Sequence, residues 1–254
     1  MPIALVTDFG TRDYYVGAVK GVILSVDPTA SIVDITHEIA PQDIAAAAFV
    51  LHACYSDFPA GTIFLCVVDP GVGSNRRAII VKTEDYAFVG PDNGVFSFVL
   101  KHSDAVYAIE NDTYFRKPVS ATFHGRDIFA PVAAHLSKGV LPAEFGPKIS
   151  DPIMLPDIAP WQIEPNTIEG SVIHVDRFGN LITNLSADIA ERRFTLEISN
   201  TQITKLTSSY VEAESDDPFA IIGSAGLIEI SVKNGSAVEK LKASRGTPIT
   251  LKFI

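Results

Sequence analysis

Strand-like and helix-like segments alternate through the first 140 residues of this 254-residue chain. Apolar runs at residues 3–7, 62–68 and 78–82 are typical of strands that are buried on both faces, and residues 31–35 and 86–89 continue the pattern. Between them, apolar spacing predicts helices at residues 14–26, after Pro41, up to about Leu100, and from an N-cap at Asp127 to Lys138, with Gly139 ending the last one. This alternation predicts an α/β domain with a mainly parallel sheet.

Prolines are concentrated near the middle of the chain. The six at positions 142, 147, 152, 156, 160 and 165 cannot all be accommodated in regular helix or central strand. We therefore predict an α/β domain at residues 1–150, an extended connector at residues 151–166 and a second domain at residues 167–254. Apolar runs in the second domain are short, β-branched and bounded by Gly, Asn and Asp, which predicts a smaller all-β domain of barrel or sandwich type.

Two aspartates directly follow predicted strands. Asp8 follows the first strand, and Asp69 follows the strand at residues 62–68 and opens a turn that carries Arg76. In open α/β sheets the carboxyl ends of the strands border the ligand crevice, so both acids are candidate site residues. The simpler interpretation is that each aspartate only starts a turn, which Asp does often.

Composition limits the partners of the chain. A net charge of −10 argues against nucleic-acid and membrane-surface binding, which need clustered positive charge, and is compatible with a cationic substrate. Cys54 and Cys66 alone cannot form a disulfide framework or a cysteine metal cluster. The longest uncharged apolar run, residues 44–51, is far shorter than the roughly 20 residues that span a bilayer. Because the first apolar run breaks at Asp8, we expect no secretory leader and a cytoplasmic location.

Signatures of several common hydrolases are missing from the sequence: there is no phosphate-binding G-x-x-x-x-G-K-[ST], no H-E-x-x-H and no G-x-S-x-G. His124, followed by Gly just before a predicted helix, is a sterically open place for an imidazole that transfers protons near neutral pH. A single His is more often structural, and we predict that role for His52 and His135. Residues 176–180 predict a tight turn, for which an ordinary hairpin is the simpler interpretation.

Several short motifs, taken together and in order, resemble one family. They are Thr-Asp-Phe-Gly at residues 7–10, Asp-Pro-Gly-Val-Gly at 69–73 with Arg76, Gly-Pro-Asp-Asn-Gly at 90–94, Phe-His-Gly-Arg-Asp at 123–127, Asp-Arg-Phe-Gly-Asn at 176–180 with Thr183 and Asn184, and Gly-Ser-Ala-Gly at 223–226 with Lys-Asn-Gly at 233–235. The set is similar to that of the S-adenosyl-L-methionine (SAM) hydroxide adenosyltransferases, which are related to the bacterial fluorinase and chlorinase. The resemblance covers nearly the whole chain.

The resemblance implies that water attacks the ribose C5′ of SAM to give adenosine and L-methionine, with no cofactor and no metal. It assigns catalysis to Asp69, Arg76 and His124. It also implies a homotrimer whose sites each combine the first domain of one subunit with the second domain of its neighbour.

Substrate contacts are implied in both domains. Asp8 corresponds to the acid that holds the ribose hydroxyls, Asn180 to the residue at the adenine edge, and Asp176 to the acid that meets the methionine ammonium. Further implied contacts are Phe123, the aromatic wall at Phe178, and Ser224, Glu229 and Val232 in the C-terminal loop and strand.

Halogenation is disfavoured within the same superfamily. Fluorinase-like enzymes carry a Tyr and a Thr at the positions of Asp69 and Val72, and a halide-contacting Ser at the position of Gly125. A carboxylate beside a halide pocket would repel the anion. The extra fluorinase loop is also missing, because only residues 83–85 join two predicted strands.

The implied chemistry suits these side chains. Attack at C5′ expels a neutral thioether from a sulfonium, so the leaving group needs neither a general acid nor a metal. A carboxylate, a guanidinium and an imidazole around one water could orient it and accept its proton, and such help is typically worth ~10²- to 10⁴-fold. The sequence does not decide whether Asp69 or His124 is the acceptor.

Two other functions stay open at this point. One is a metal-dependent phosphohydrolase with Asp8, Asp69, Asp92 and His124 as ligands, because hard cations favour oxygen ligands. The other is a nucleoside-binding protein without catalysis.

Overall fold

The computed structural model describes residues 1–156, 160–213 and 215–254, except for the side chains of Trp161, Ala190 and Glu191. It divides into two compact units, Met1–Leu155 and Pro156–Ile254. Of the predicted connector, residues 151–155 belong to the first unit, residues 157–159 lie outside the described residues, and Trp161–Glu164 forms a strand. The bounds of the predicted domains and connector stay a prediction.

The first unit contains a seven-stranded mixed sheet. Its strands are β1 (Pro2–Thr7), β2 (Ser31–Thr36), β3 (Ile63–Val67), β4 (Ala78–Lys82), β5 (Ala87–Pro91), β6 (Ala105–Ala108) and β7 (Lys148–Ile149), in the order β2-β1-β3-β5-β4-β6-β7. Its helices are α1 (Tyr15–Val26), α2 (Ile44–Cys54), α3 (Ser97–Leu100) and α4 (Ala130–Ser137). The pairs β2-β1, β1-β3 and β3-β5 are parallel, and the pairs β5-β4, β4-β6 and β6-β7 are antiparallel. Within this sheet, β4 and β7 therefore run against the other five strands. The mainly parallel α/β prediction is confirmed.

The central strands are apolar throughout because helices cover both faces of the sheet. Successive side chains of a strand point to opposite faces. In β1, Ile3 and Leu5 pack in one hydrophobic cluster with residues of α1 and α4, whereas Ala4 and Val6 pack in a second cluster with residues of α2. This double burial fixes the strand ends that carry Asp8 and Asp69.

Two predicted helix starts differ in the structure. Helix α2 begins at Ile44, three residues after Pro41, because Asp43 accepts a hydrogen bond from the backbone N–H of Ala46 and caps the helix there. The intervening Gln42 has a φ of 68°, which is incompatible with right-handed helix.

The predicted N-cap role of Asp127 is wrong. Asp127 lies inside a π-helical turn, Gly125–Phe129, and its side chain is 0% exposed. Its carboxylate accepts hydrogen bonds from Arg116, Arg126 and the backbone N–H of Ser120. Burial acts to raise the pKa of Asp127, but these donors outweigh it and the net pKa is lowered. Asp127 is therefore an internal anchor rather than a helix cap.

The second unit contains a curled nine-stranded sheet. Its strands are β8 (Trp161–Glu164), β9 (Thr167–Val175), β10 (Leu181–Ser186), β11 (Phe194–Ile198), β12 (Thr201–Ile203), β13 (Leu206–Thr207), β14 (Phe219–Ile222), β15 (Leu227–Ser231) and β16 (Pro248–Phe253). Its one α-helix among the described residues is α5 (Ala237–Leu241), and two short 3-10 helices span Ala187–Glu191 and Tyr210–Glu212. The order is β12-β11-β16-β9-β10-β15-β14-β13, with β8 also paired to β9. Its main hydrophobic core includes Val172, Leu196 and Ile230, and a smaller cluster consists of Ala213, Phe219 and Ile221. The predicted β-rich second domain is confirmed.

Candidate active site

Asp8 and Asp69 lie at the same edge of the first sheet. Strands β1 and β3 are parallel neighbours, and Thr7 is paired with Val67, so the residues that follow them leave the sheet side by side. Asp8 is half-buried, and the Asp69 side chain is 5% exposed. Both acids therefore occupy the carboxyl edge at which α/β sheets bind ligands.

Arg76 joins Asp69 to His124. The Arg76 Nε–H donates to both carboxylate oxygens of Asp69, at 2.8 and 3.0 Å, and Nη2 also donates to Oδ2. The same Nη2 lies 2.9 Å from Nδ1 of His124, and the guanidinium stacks 5.1 Å from the ring centre of Phe129. With the Arg76 side chain 10% exposed, this cluster is largely shielded from water.

The loop after β3 is shaped to bring Arg76 back to Asp69. Its turns are closed by hydrogen bonds from Val72 N–H to the Asp69 carbonyl and from Ser74 N–H to the Gly71 carbonyl. Gly73 has a φ of 77°, and a Cβ there would overlap the carbonyl oxygen of Ala121. A glycine is therefore required where this loop packs against the segment that leads to His124.

The tautomer of His124 follows from its partner. A guanidinium has no acceptor, so Nδ1 of His124 must accept the hydrogen bond from Arg76. The neutral imidazole then carries its proton on Nε2. Burial, and next the positive charge of Arg76, hold the pKa of His124 below its usual value, although the charges of Asp69 and Asp127 act in the opposite direction. His124 is accordingly neutral at pH 7, with an N–H available to a ligand.

Asp8 is held by its neighbours in a different way. Its Oδ2 accepts a 2.8 Å hydrogen bond from the backbone N–H of Gln42, and no donor among the described residues reaches Oδ1. His37 braces the turn, because its Nδ1 lies 2.9 Å from Thr7 Oγ1 and its carbonyl accepts the N–H of Gly10. Gln42 and His37 were not predicted as site residues, since nothing local in the sequence marks the left-handed backbone at Gln42 or the contact between residues 7 and 37.

Phe123 is part of an aromatic group beside His124. It is 7% exposed, and its ring packs edge-on against Phe9 at 5.8 Å and Tyr15 at 5.3 Å, with the guanidinium of Arg126 5.0 Å from its centre. These contacts fix the backbone from which His124 projects.

In the second unit, residues 176–180 form the tight turn that the sequence predicts. The Asp176 carboxylate accepts hydrogen bonds from the backbone N–H groups of Phe178 and Asn180 and from the Asn180 side-chain amide. Asn180 is buried, whereas Phe178 is 77% exposed. The turn interpretation is thus correct as local structure, and the ring of Phe178 at its tip is open to solvent.

The remaining predicted residues lie on β15 and its flanking loops. Ser224 is exposed in the turn before β15. Glu229, within β15, is 9% exposed, and the Tyr210 hydroxyl donates to its Oε2 at 3.1 Å. Val232 is buried in the hydrophobic core of this unit, so most of its side chain serves packing.

Asp92, the acid named in the metal-dependent alternative, is engaged elsewhere. It is 1% exposed, its Oδ2 accepts from Arg77 Nε at 2.8 Å, and its Oδ1 accepts from the backbone N–H of Ile153 at 2.8 Å. Among the residues that the structure describes, no group of three or more His, Cys, Asp and Glu side chains is placed to hold a metal ion. Within the same residues, no helix has the length and apolar character needed to cross a membrane.

These features define a class of two-domain proteins that join a mixed α/β domain, with a carboxylate–guanidinium–imidazole cluster at its sheet edge, to a curled β domain. Residues 3–146 match the sequence profile of the SAM hydroxide adenosyltransferase N-terminal domain, and residues 170–250 match that of the C-terminal domain. The chain belongs to the SAM hydroxide adenosyltransferase family.

Individual relatives extend this comparison. The chain is 37% identical to an (R)-S-adenosyl-L-methionine hydrolase of Thermus thermophilus over 98% of this chain and 99% of the relative. A fluorinase of Actinoplanes is more distant, at 26% identity over 90% of each chain. A crystal structure of a conserved protein from Thermotoga maritima aligns with a TM-score of 0.92 at 36% identity, covering 99% of this chain and all of the other.

Proposed function

We propose that this protein hydrolyses S-adenosyl-L-methionine to adenosine and L-methionine. The observation that carries the proposal is the largely shielded cluster of Asp69, Arg76 and His124 at the carboxyl edge of the sheet. Relatives at 34–37% identity over most of the chain are named (R)-S-adenosyl-L-methionine hydrolases, which supports the same activity.

In this mechanism a water oxygen attacks the ribose C5′ as the C5′–S bond breaks. The electron pair of that bond stays on sulfur, so methionine leaves as a neutral thioether and needs no acid catalyst. The water loses one proton. Because Nδ1 of neutral His124 already accepts from Arg76, its Nε2–H can only donate to the water oxygen, and Asp69 is left as the proton acceptor.

Arg76 positions both partners of that water, because one guanidinium fixes the Asp69 carboxylate and the His124 ring together. The shielded position of the cluster also assists the reaction. As Asp69 takes the proton and the C5′–S bond breaks, the negative charge of the carboxylate and the positive charge of the sulfonium both diminish, and such a step is favoured where bulk water is excluded.

We assign substrate contacts to the residues of both units. Asp8 binds the ribose hydroxyls through its open Oδ1, and Phe123 forms the apolar wall beside the reacting carbon. In the second unit, Asn180 and Phe178 bind adenine, Asp176 and Glu229 face the cationic methionine end, and Ser224 and Val232 line the pocket. We further propose that the protein is a homotrimer and acts without a metal. We also propose a cytoplasmic location, because the free thiols of Cys54 and Cys66 are typical of proteins in a reducing compartment.

The names of the relatives specify the R form of the substrate. A sulfonium sulfur with three different carbon substituents is pyramidal and therefore chiral. We propose that the chain prefers the R epimer. With the water fixed on one side of C5′ and the methionine chain fixed in its own site, only one configuration at sulfur fits both.

Hydrolysis in ¹⁸O-water with a chelator present tests the proposal. Purified protein should convert SAM to adenosine labelled at the 5′-oxygen, and an epimeric mixture should lose the R form first. Asp69→Asn should abolish turnover while it still binds adenosine. Adenosine without label would refute the attack by water, loss of activity on chelation would revive a metal role, and tight binding without turnover would indicate a nucleoside-binding protein.

A further inference from the structure

Tyr210 and Glu229 form a contact that the reaction scheme above leaves without a role. Glu229 is nine-tenths buried, yet one hydroxyl is its only hydrogen-bond donor among the described residues. The Tyr210 hydroxyl reaches Oε2 at 3.1 Å, and nothing described donates to Oε1. A buried carboxylate is normally bonded more completely than this.

The backbone of the neighbouring strand is adapted to the same carboxylate. Gly223 directly follows β14, which pairs with β15, and a Cβ on Gly223 would overlap Oε1 of Glu229. Any other residue at position 223 would displace the carboxylate. The Oε1 atom thus lies in the place that the missing Cβ leaves free, at a glycine whose conformation needs no special φ.

Tyr210 begins a 3-10 turn, Tyr210–Glu212, whose connecting loop is held by several hydrogen bonds. The Ser208 hydroxyl and backbone N–H both donate to the Glu212 carboxylate, at 2.8 and 3.1 Å. Lys233 Nζ donates to the carbonyls of Val211 and Ala213, at 3.2 and 2.5 Å. Tyr210 is therefore held over Glu229 by the loop, although its own side chain is partly exposed.

The surroundings of Glu229 are acidic. Burial and the charge of Asp176 raise the pKa of Glu229, and the hydrogen bond from Tyr210 acts in the opposite direction. Without that bond Glu229 would take up a proton more readily and would lose its attraction for a cation.

We propose that Tyr210 is a positioning residue that holds Glu229 with its second oxygen directed at the α-ammonium of the substrate's amino-acid part. This assignment rests on the proposed function for the identity of the substrate. Selection for a substrate with a cationic amino-acid end then depends on the Tyr210 hydroxyl, which belongs to a residue that does not touch the nucleoside.

Binding measurements test this without turnover. S-adenosylhomocysteine carries the ammonium but no sulfonium, and adenosine carries neither, so calorimetry with the two ligands separates the amino-acid end from the nucleoside. Tyr210→Phe keeps the ring and its packing on Phe219. We expect it to weaken S-adenosylhomocysteine roughly ten-fold, the loss of one hydrogen bond to a charged group, and to leave adenosine unchanged.

Two further measurements separate positioning from general damage. Affinity of Tyr210→Phe for S-adenosylhomocysteine should begin to fall at a higher pH than in the wild type, because Glu229 is protonated sooner. In a Glu229→Gln background the Tyr210 change should have no further effect. Tyr86→Phe, which loses a hydroxyl bonded to the Phe58 carbonyl in the first unit, is the matched control.

Equal weakening of both ligands, or additive effects in the double variant, would overturn the role of Tyr210. These outcomes are independent of catalysis. If the ¹⁸O experiment fails while the two ligands still respond differently, the hydrolysis is wrong and the ammonium site stands.

Discussion

Replacing Arg76 by Met tests how the cluster works, because Met keeps much of the apolar stem but removes the charge and every donor. Asp69 and Arg76 are 5% and 10% exposed, so Asp69 would become a buried carboxylate without its side-chain partner. Breaking such a pair from one side typically costs about 3 to 5 kcal/mol of stability. Urea unfolding measures this loss.

The same change should alter His124 in a measurable way. Arg76 is the second cause of the lowered pKa of His124, and burial is the first. In Arg76→Met the pKa of His124 should therefore rise from its lowered value toward the usual value of about 6.5. Titration of the imidazole by NMR follows the shift, and Nδ1 would also lose the donor that fixes the tautomer.

Arg76→Lys is the matched variant. Lysine keeps the positive charge but cannot supply the rigid fork that contacts Asp69 and Nδ1 of His124 together. We expect kcat to fall by about 10²-fold or more, in the range for lost general-base help, while the pKa of His124 stays low. Wild-type turnover in Arg76→Lys, or an unchanged His124 titration in Arg76→Met, would refute the assigned role.

Three further predictions concern single side chains. Activity should fall at acid pH as His124 is protonated, with a midpoint below about 6.5. His124→Gln, which retains an N–H donor, should be slower and should lose this acid-side fall in the pH–rate profile. If the fall persists in His124→Gln, another group causes it. Glu229→Gln should raise thermal stability at neutral pH. The raised pKa of Glu229 means that the wild-type protein loses stability as the pH rises through that pKa, whereas glutamine does not ionise. In melting curves the difference in stability between variant and wild type should therefore shrink as the pH is lowered toward ~4.5. Asp127→Asn should cost about 3 kcal/mol in urea unfolding, the low end for a broken buried pair because Arg116 is half exposed, and a change below about 0.5 kcal/mol would contradict its anchoring role.

The sequence predicted best the elements that are buried on both faces. Strands such as β1 and β3 are continuous apolar runs, so their ends, and with them the places of Asp8 and Asp69, could be located within one or two residues. Edge strands such as β7, β12 and β13 have two or three residues, which is too short for any periodic pattern. Asp127 is of a residue type that often caps helices, but in the structure its carboxylate is instead bonded by the adjacent Arg126, by Arg116 and by the backbone of Ser120.

Site residues were predictable to the extent that their partners are close in sequence. Asp69 and Arg76 lie seven residues apart on one loop, so their pairing follows from a single turn. Tyr210 and Glu229 lie nineteen residues apart on different elements, and no spacing rule connects them. Gly223 makes room for the Glu229 carboxylate, but glycine is common in any turn between two strands and does not mark this contact in the sequence.

Asp8 and Asp69 were equivalent in the sequence, each at the end of a buried strand, and the loops that follow them make them different. After β1, the carboxylate of Asp8 receives one backbone N–H, from Gln42, which occupies one oxygen and leaves the other open for a neutral hydroxyl pair. After β3, the loop places the guanidinium of Arg76 beside Asp69, where it donates hydrogen bonds to both carboxylate oxygens and also to Nδ1 of His124. A backbone amide can orient a carboxylate but cannot couple it to a second side chain. Only the Asp69 loop therefore assembles groups that can act together on one water, which is why we assign binding to Asp8 and proton transfer to Asp69.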